Sequence, residues 1–307
     1  MAYAAAALAL LAACAGPTEQ TDRSAQDSAG PVVGENVVLP GVAVDDRFLT
    51  AHAFASEASF LFPEESRALA HALLRAEFAR LEAARLGVEP EVAAVDAALA
   101  ASVTGLRAQA PDGQLEAWAQ QRYGRGWEPV EAGLRQRLED NQRFQLCARA
   151  WSLQQGRVQF RMLSSRDETT AQDWLRRIRA GASSAAMVAA SLDAGPAGDG
   201  SLPWLPQASP GWLPVQSVPS ELKLGEAFGP VQLPGETVWR VLEVLALEAP
   251  LATVPPRAKL LEALRAEPVG PLEERAWFEA MSARYNAREG LPAFETPARS
   301  FVRPRTR

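Results

Sequence analysis

The chain has 307 residues, a net charge of −6 and a hydrophobic content of 48%. This length allows two modest domains or one large one, and the hydrophobic content can fill a sizeable core. The acidic balance argues against general nucleic-acid binding, and two His with two Cys almost exclude a His pair, a Cys/His dyad or a Cys-based zinc centre. We therefore predict no metal, no cofactor and no nucleic-acid partner.

The N-terminus is a short apolar run, AYAAAALALLAACAG, which is too short to span a bilayer as a helix. Its residues Leu11-Ala12-Ala13-Cys14 resemble the lipobox of bacterial lipoproteins, which implies that Cys14 is lipidated and becomes the new N-terminus. The alternative is a chance Cys in a cleavable signal peptide. Both alternatives predict export. With Ala15 after the Cys, the resemblance implies a membrane-anchored lipoprotein on the periplasmic face of the outer membrane.

Residues 15–44 are predicted to be a disordered tether behind the signal peptide of residues 1–14. Their first half reads GPTEQTDRSAQDSAGP, which is polar, rich in Pro, Gly and Ser, and free of large apolar side chains. Such a segment cannot bury enough apolar surface to fold by itself. No later stretch approaches a membrane span, so we expect the rest of the chain to be soluble.

Residues 45–151 show helical periodicity. Residues 64–87 carry two apolar stripes at helical spacing and end at Gly87, a residue that commonly follows a helix. A second helix is expected after Pro90, and two amphipathic helices follow it. Cys147 lies on the last of them, where a small buried hydrophobe is the simplest role for it.

The pattern changes after Gly156. The run RVQFRMLSS alternates in hydrophobicity and predicts a strand, and residues 168–181 predict a helix that Gly181 ends. A second short helix, SSAAMVAASL, a Gly/Pro-rich loop and a hairpin within residues 223–244 follow. This order predicts a small α+β domain with an antiparallel sheet.

Four segments in this region, AQDWLRRIRAG, AAMVAASLD, GSLPW and LKLGEAFGPV, resemble those of parvulin-type peptidyl-prolyl isomerases in the same order. The resemblance covers residues 157–247. It implies that Gly225-Glu226 turns the chain out of a short third helix. It also implies that Gly229-Pro230-Val231 leads into the first strand of the closing hairpin.

The segment EFARLEAARLGVEPEVAAVDAAL resembles a helix pair of SurA- and PrsA-like foldases. In such proteins a C-terminal helix returns to complete the N-terminal domain, and residues 270–290 carry an apolar stripe that suits this role. The predicted fold class is thus α+β. An all-helical chaperone-like domain, residues 45–151 plus 255–292, would carry an inserted parvulin-like domain, residues 157–247, and a tail, residues 293–307.

The resemblance also implies where the isomerase site would lie. Parvulins lower the barrier to rotation about an X-Pro bond in an apolar pocket beside a polar network of two His and a Cys or Asp. The first His position falls on Arg161 and the second on or next to Thr237, while the acidic position is kept as Asp193. Two pocket positions fall on Ser220 and Gln232, so the pocket is less apolar than in the family.

Several roles stay open at this point. Asp193 is either a surviving catalytic carboxylate or a loop residue that caps a turn, and Arg161 could form a salt bridge with it in place of the His network. Trp204, Trp212 and Phe228 either line a peptide groove or pack under the long loop. The peptide-binding residues that the resemblance implies are Met162, Trp204, Leu222, Phe228 and Gln232.

Three functions follow from these patterns. The first is an exported foldase that binds unfolded or extended polypeptides and has weak or no isomerase activity. The second is an active isomerase with a non-standard site, and the third is a structural lipoprotein that docks one partner. The substituted His positions argue against the second, and the SurA/PrsA-like order argues against the third. We expect the first, with unfolded polypeptides and a lipid anchor as partners; the sequence leaves the oligomeric state open.

Overall fold

The computed structural model describes residues 38–44, 47–195, 197–207, 221–233, 235–287 and 301–302. Within them the fold is α+β, with two antiparallel sheets among many helices. Its contacts divide the chain into two compact units. The first comprises Met1–Arg75, Ala100–Arg122 and Arg288–Arg307, and the second comprises Ala76–Leu99 and Tyr123–Ala287. The units differ in extent from the predicted domains, because residues 157–247 share a unit with helices on both sides of them in the sequence.

The first unit contains a small sheet at the two ends of the described chain. Its strands are β1 (Val38–Val44), β2 (Arg47–Thr50) and β7 (Phe301–Val302), in the order β1-β2-β7 and antiparallel. Residues 38–44, predicted as part of the tether, thus form β1. Residues 47–50, predicted as the start of the helical domain, form β2, and residues 301–302 of the predicted tail form β7. The run VVLPGVAV explains the first strand, since β-branched Val favours extended backbone.

Four helices follow β2 along the chain. They are α1 (Ala51–Leu61), α2 (Pro63–Leu86), α3 (Val92–Gln109) and α4 (Leu115–Tyr123). The Thr50 hydroxyl accepts a hydrogen bond from the backbone N–H of Ala53 and thereby caps α1. Gly87 follows α2 with a φ of 65°, the left-handed conformation that its predicted helix-ending role requires.

The second unit continues with a long helix, a sheet and two further helices. In chain order these are α5 (Trp127–Gln155), β3 (Arg157–Ser165), α6 (Glu168–Arg179), a 3₁₀ helix (Ser184–Ala190), β4 (Leu205–Pro206), β5 (Ala227–Gln232), β6 (Trp239–Glu248), α7 (Arg257–Ala266) and α8 (Pro271–Arg284). The predicted strand, helix, short helix and hairpin are all present in this order.

The sheet of the second unit has the order β4-β3-β6-β5, and each neighbouring pair is antiparallel. One apolar cluster lies on its α6 side and includes Leu163, Trp174 and Val241. The other face carries a cluster with Phe160 and Phe228 at its centre, and Leu272 of α8 packs against it. Both faces of the sheet are thus covered.

The hairpin differs from its prediction in one respect. Gly229-Pro230 lies inside β5, at a bulge between Phe228 and Val231, rather than ahead of the strand. A Cβ on Gly229 would come within 2.6 Å of the Arg240 carbonyl oxygen, so this position in the bulge needs glycine. The chain turns at Gly225 with a φ of 77°, as predicted. Residues 221–226 form no helix, and residues 208–220, which precede them, lie outside the described residues.

The C-terminal helix α8 packs on the helices before the sheet, as its apolar stripe predicts. Trp277 is fully buried, with its ring centroid 5.3 Å from that of Phe144 and 6.4 Å from that of Phe78. Pro271 occupies the first turn, as expected, but the helix ends at Arg284, and Gly290 lies outside the described residues. No helix of the described chain is long and apolar enough to cross a membrane.

Candidate functional site

The strand β3 carries the first position that the parvulin resemblance singles out. Successive side chains of a strand point to opposite faces of the sheet. Leu163 accordingly joins the cluster on the α6 side, while Phe160 and Met162 join the cluster on the other face. Arg161 shares the face of Leu163. The predicted polar and apolar halves of the site therefore lie on opposite faces of β3.

Arg161 is the centre of a closed polar cluster on the α6 side. Its Nη1 donates to the Ser184 hydroxyl at 2.7 Å and to Glu243 Oε2 at 3.3 Å, and its Nε donates to the Asp199 carbonyl at 3.0 Å. The Ser184 hydroxyl also donates to Glu243 Oε2. Only 16% of the Arg161 side chain and 18% of that of Glu243 are exposed, so the cluster is largely shielded from water.

The loop before β4 is shaped around this arginine. Gly200 has a φ of 78°, and its backbone oxygen accepts from the N–H of Met162 at 2.8 Å. A Cβ there would lie 3.1 Å from Arg161 Cγ and 3.2 Å from a side-chain carbon of Val188. Glycine is therefore the residue that lets the loop close over the arginine.

Asp193 and Thr237 do not join the cluster. The Asp193 carboxylate accepts from the backbone N–H of Gly195 at 2.8 Å, a turn-capping geometry, and the residue is exposed. Thr237 is exposed in the turn of the closing hairpin. The carboxylate partner of Arg161 is therefore Glu243, and the salt bridge to Asp193 considered from the sequence is replaced by this pair.

Three of the five predicted peptide-binding residues lie together. Phe228 is 5% exposed and meets Phe160 edge to face at 5.7 Å, whereas Met162 and Leu222 are half-buried against the same cluster. Gln232 is exposed and donates to the Glu236 carbonyl at 2.7 Å. Phe228 is thus a core residue, and Met162 and Leu222 form the partly open rim of that core.

Trp204 lies at the junction between the sheet and the C-terminal helices. The Arg157 guanidinium sits 5.0 Å above its ring, and its backbone N–H donates to Glu267 at 3.2 Å. Arg157 also forms a bidentate pair with Glu248 at 2.8 and 2.9 Å. The contacts of Trp204 are therefore those of a residue that joins the sheet to α7.

Three other predicted residues, Cys14, Trp212 and Ser220, lie outside the described residues. The remaining cysteine, Cys147, is buried, and burial raises the pKa of its thiol from 9.0 to about 12. A thiol held neutral in this way is a small hydrophobe, as its sequence context predicts.

Sequence reasoning missed Ser184 and Glu243, which complete the Arg161 cluster. Glu243 stands directly opposite Arg161 in the β3–β6 ladder. Its identity would follow from the register of that ladder, but a bulge between Gln159 and Phe160 shifts the register and hides the pairing from any count along the sequence.

This arrangement restricts the chemistry of the sheet. A guanidinium is charged at every physiological pH and only donates, so Arg161 cannot share a proton as an imidazole does. Its Nε and Nη1 are already bound to Ser184, Glu243 and the Asp199 carbonyl. No group of three or more His, Cys, Asp or Glu that could hold a metal ion occurs within the part of the chain that the structure describes.

Comparison with known proteins gives matches among solved structures. No protein-family model and no curated protein matches the chain. Among solved structures, the peptidylprolyl isomerase PrsA from Bacillus anthracis is similar at 14% identity, covering 71% of this chain and 99% of that one, with a TM-score of 0.30. The chain resembles PrsA.

Two further PrsA structures are similar. The foldase protein PrsA from Streptococcus pneumoniae matches at 13% identity over 85% of this chain and 97% of its own, with a TM-score of 0.28. PrsA from Bacillus cereus matches at 13% over 83% and 94%, also with a TM-score of 0.28. With identities of 13–14% and TM-scores of 0.30 or below, these structures do not define the chemistry of the site, which depends on the residues of this chain.

Proposed function

We propose that the protein is an exported foldase that binds unfolded or extended polypeptides and carries a parvulin-like module with little or no isomerase activity. The observation that carries this proposal is the closed cluster of Arg161, Ser184 and Glu243. Arg161 stands at the position where the parvulin resemblance implies the first His of an imidazole network. A site that lacks an imidazole, and in which Nε and Nη1 of the arginine are already bound, has little left to offer a twisting amide.

Exposed apolar side chains of the first unit support binding of unfolded chains. Within residues 54–73, which cover most of α1, the start of α2 and Phe62 between them, several large apolar residues are more than half exposed: Phe54, Phe60, Leu61, Phe62, Leu69 and Leu73. Large apolar side chains exposed in such number commonly mark an interaction site. Unfolded polypeptides expose the apolar segments that such a surface binds.

Two assays on the purified protein test the proposal. The first follows isomerisation of the Ala–Pro bond in a short chromogenic peptide, and the second follows aggregation of chemically unfolded citrate synthase. We expect the uncatalysed isomerisation rate, the same rate with Asp193→Ala, and slower aggregation at stoichiometric protein. Strong isomerisation that Asp193→Ala abolishes would establish the active isomerase instead. Failure in both assays would favour a structural lipoprotein.

The lipid anchor is a separate part of the proposal. We propose that Cys14 is acylated and holds the protein at the outer membrane. Fractionation of cells that express wild type and Cys14→Ser tests this, with Cys147→Ser as the control. Wild type and Cys147→Ser should be found with the membrane and Cys14→Ser should not. A wholly soluble wild type would contradict the anchor.

A further inference from the structure

The corner between α1 and α2 carries three consecutive large apolar side chains. Phe60, Leu61 and Phe62 are 69%, 56% and 56% exposed. Phe62 alone separates the two helices, and Pro63 begins α2. Soluble proteins seldom leave adjacent large apolar side chains in water without a function, so this apolar corner, residues 60–62, indicates a contact with another surface.

The backbone of the apolar corner is fixed by hydrogen bonds. The N–H of Phe62 donates to the Ala58 carbonyl at 2.8 Å, and the carbonyl of Phe62 accepts from the N–H of Ser66 at 2.9 Å. The Ser66 hydroxyl also donates to the Ala58 carbonyl, at 3.2 Å. An ordered backbone thus presents the apolar side chains, and little conformational entropy is lost when they are buried against a partner.

The same hydrogen bonds favour a lipid over a polypeptide as the partner of this corner. A bound extended polypeptide pairs its backbone N–H and C=O groups with the backbone of its host. At Phe62 both backbone groups are already paired within the corner. Acyl chains make no hydrogen bonds, so they suit an apolar surface that offers none.

Acidic residues flank the apolar corner and select the kind of lipid. Glu57, Glu64 and Glu65 are exposed and lie within three residues of it along the chain, and Arg67 is the next charged residue of α2. Carboxylates are repelled by an anionic lipid surface and attracted by the ammonium group of a zwitterionic headgroup. These charges therefore favour phosphatidylethanolamine over phosphatidylglycerol.

The chain between Cys14 and the apolar corner is short. Residues 15–37 separate Cys14 from β1, and β2 leads directly into α1. A flexible chain of this length has an end-to-end distance of about 25 Å. An acyl group on Cys14 would thus keep the first unit close to a bilayer, where the high effective concentration favours even a small apolar contact.

We propose that the apolar corner inserts into the headgroup region of a zwitterionic bilayer and forms a second membrane contact beside the lipid anchor. The inference goes beyond the proposed foldase function, and it rests on the proposed anchor for the proximity of the bilayer. It leaves the exposed Leu69 and Leu73 of α2 to client polypeptides. The contact orients the first unit on the membrane.

An NBD fluorophore on the full-length protein, in vesicles of phosphatidylethanolamine and phosphatidylcholine, tests the corner. Leu61→Cys carries the label at the corner, and Leu69→Cys is the matched control, because these leucines are 56% and 58% exposed. Wild type treated with the same label measures any reaction at Cys14 or at the buried Cys147. We expect blue-shifted emission and quenching by doxyl-labelled lipids at residue 61 and neither at residue 69. Equal quenching at both positions would overturn the proposal.

Two further changes test the cause of the contact. Adding Phe62→Ser to Leu61→Cys removes a large apolar side chain and should weaken the contact by about tenfold. Replacing phosphatidylethanolamine with phosphatidylglycerol should reduce the quenching, because the flanking carboxylates then meet an anionic surface. Quenching that Phe62→Ser leaves unchanged would overturn insertion, and stronger quenching in phosphatidylglycerol would overturn the lipid selectivity. Circular dichroism checks that each variant is folded.

The outcomes separate this inference from the proposed function. If the label at residue 61 responds to unfolded citrate synthase and not to lipid, the corner binds clients, so the membrane contact fails and the foldase function stands. If lipid quenches that label and wild type does not slow aggregation, the membrane contact stands and the foldase function fails. Fractionation of Cys14→Ser reports on the anchor alone.

Discussion

The Arg161 guanidinium determines the hydrogen bonds that β3 makes on the α6 side of the sheet. It is bound on three sides by Ser184, Glu243 and the Asp199 carbonyl. A largely shielded guanidinium held in this way stabilises the sheet locally through charge-assisted hydrogen bonds. At a position where the parvulin resemblance implies an imidazole, the residue therefore acts in structure rather than in proton transfer.

A double-mutant cycle measures this coupling. Arg161→Met should lower the free energy of unfolding by about 1–3 kcal/mol, because it leaves Glu243 in a shielded site without its cation. The double variant Arg161→Met/Glu243→Met should lose less than the sum of the single changes. Urea unfolding measures each value. Arg176→Met is the control, because that side chain is exposed and pairs with Asp173 on its own helix. Simple additivity would show that the pair is not coupled.

Glu82 is a second residue whose surroundings decide its behaviour. Its side chain is fully buried and accepts from Arg85, Arg284 and the Tyr285 hydroxyl, the last at 2.6 Å. Burial alone would raise its pKa, but the hydrogen bonds from Arg85, Tyr285 and Arg284 outweigh this and lower the pKa from 4.5 to about 2. The carboxylate is thus held charged between α2 and α8.

The lowered pKa of Glu82 predicts an acid-dependent loss of stability. Above pH 4.5 the charged form stabilises the fold in full, and the contribution is lost as the pH falls from about 4.5 towards 2. Glu82→Gln should lower stability at pH 7 and flatten this part of the pH profile. Thermal unfolding from pH 2 to 7 measures both. Glu77→Gln is the control, because its side chain is 55% exposed. If the stability of Glu82→Gln depends on pH as that of wild type does, the lowered pKa of Glu82 does not cause the acid-dependent loss.

Among the secondary-structure elements, β3 depends on the loop before β4, which pairs with it in antiparallel fashion at Arg161 and Ser201. Gly200 and Gly198 both adopt left-handed backbone, with φ values of 78° and 76°. They differ in what a Cβ would meet. At Gly200 three atoms lie within 3.2 Å, including the Met162 carbonyl oxygen, whereas at Gly198 nothing lies within 4 Å. Comparing substitutions at these two glycines therefore separates the effect of steric crowding on stability from the effect of backbone strain.

Substitution of these glycines tests the loop. Gly198→Ala should lower the free energy of unfolding by about 1 kcal/mol, because an alanine is strained in the left-handed conformation. Gly200→Ala should cost about 1–3 kcal/mol more, because the methyl group displaces the loop from Arg161 and breaks its contact with β3. Chemical unfolding gives both values. Hydrogen exchange at the Met162 amide should quicken in Gly200→Ala only. Equal losses of unfolding free energy at the two positions would mean that the loop accommodates the methyl group at residue 200 without strain.

For the molecule as a whole, buried polar pairs join α5, the sheet and the C-terminal helices of the second unit. Arg149 and Glu273 form an ion pair at 3.1 Å with side chains 1% and 2% exposed. Arg149 also donates to the Glu267 carbonyl at 3.0 Å, and the Glu267 carboxylate binds Arg157 of β3 and the N–H of Trp204. These contacts explain why residues 157–247 share a compact unit with the helices around them.

Breaking the Arg149–Glu273 pair should therefore loosen the unit broadly. Arg149→Met leaves the Glu273 carboxylate buried without its cation, and the expected cost is about 3–5 kcal/mol. Hydrogen exchange should quicken in α8 and also in β3. Arg275→Met is the control, since that arginine is exposed and pairs with Glu279 on the same helix. Exchange that quickens in α8 but not in β3 would show that the sheet is independent of these helices.

The sequence by itself determined the elements that depend on near neighbours. The alternation of Val158, Phe160 and Met162 predicts β3, and apolar spacing with a closing Gly181 predicts α6, whose start the Asp167 side chain caps. The parvulin-like order also followed from the chain alone. Periodicity and caps act over a few residues, so they can be read along the sequence.

Only the tertiary structure decided the partners of the charged residues. Glu243 is 82 residues from Arg161, and Glu273 is 124 residues from Arg149. Which carboxylate meets which guanidinium depends on strand register, on a bulge in β3 and on the packing of α8, and none of these leaves a local pattern.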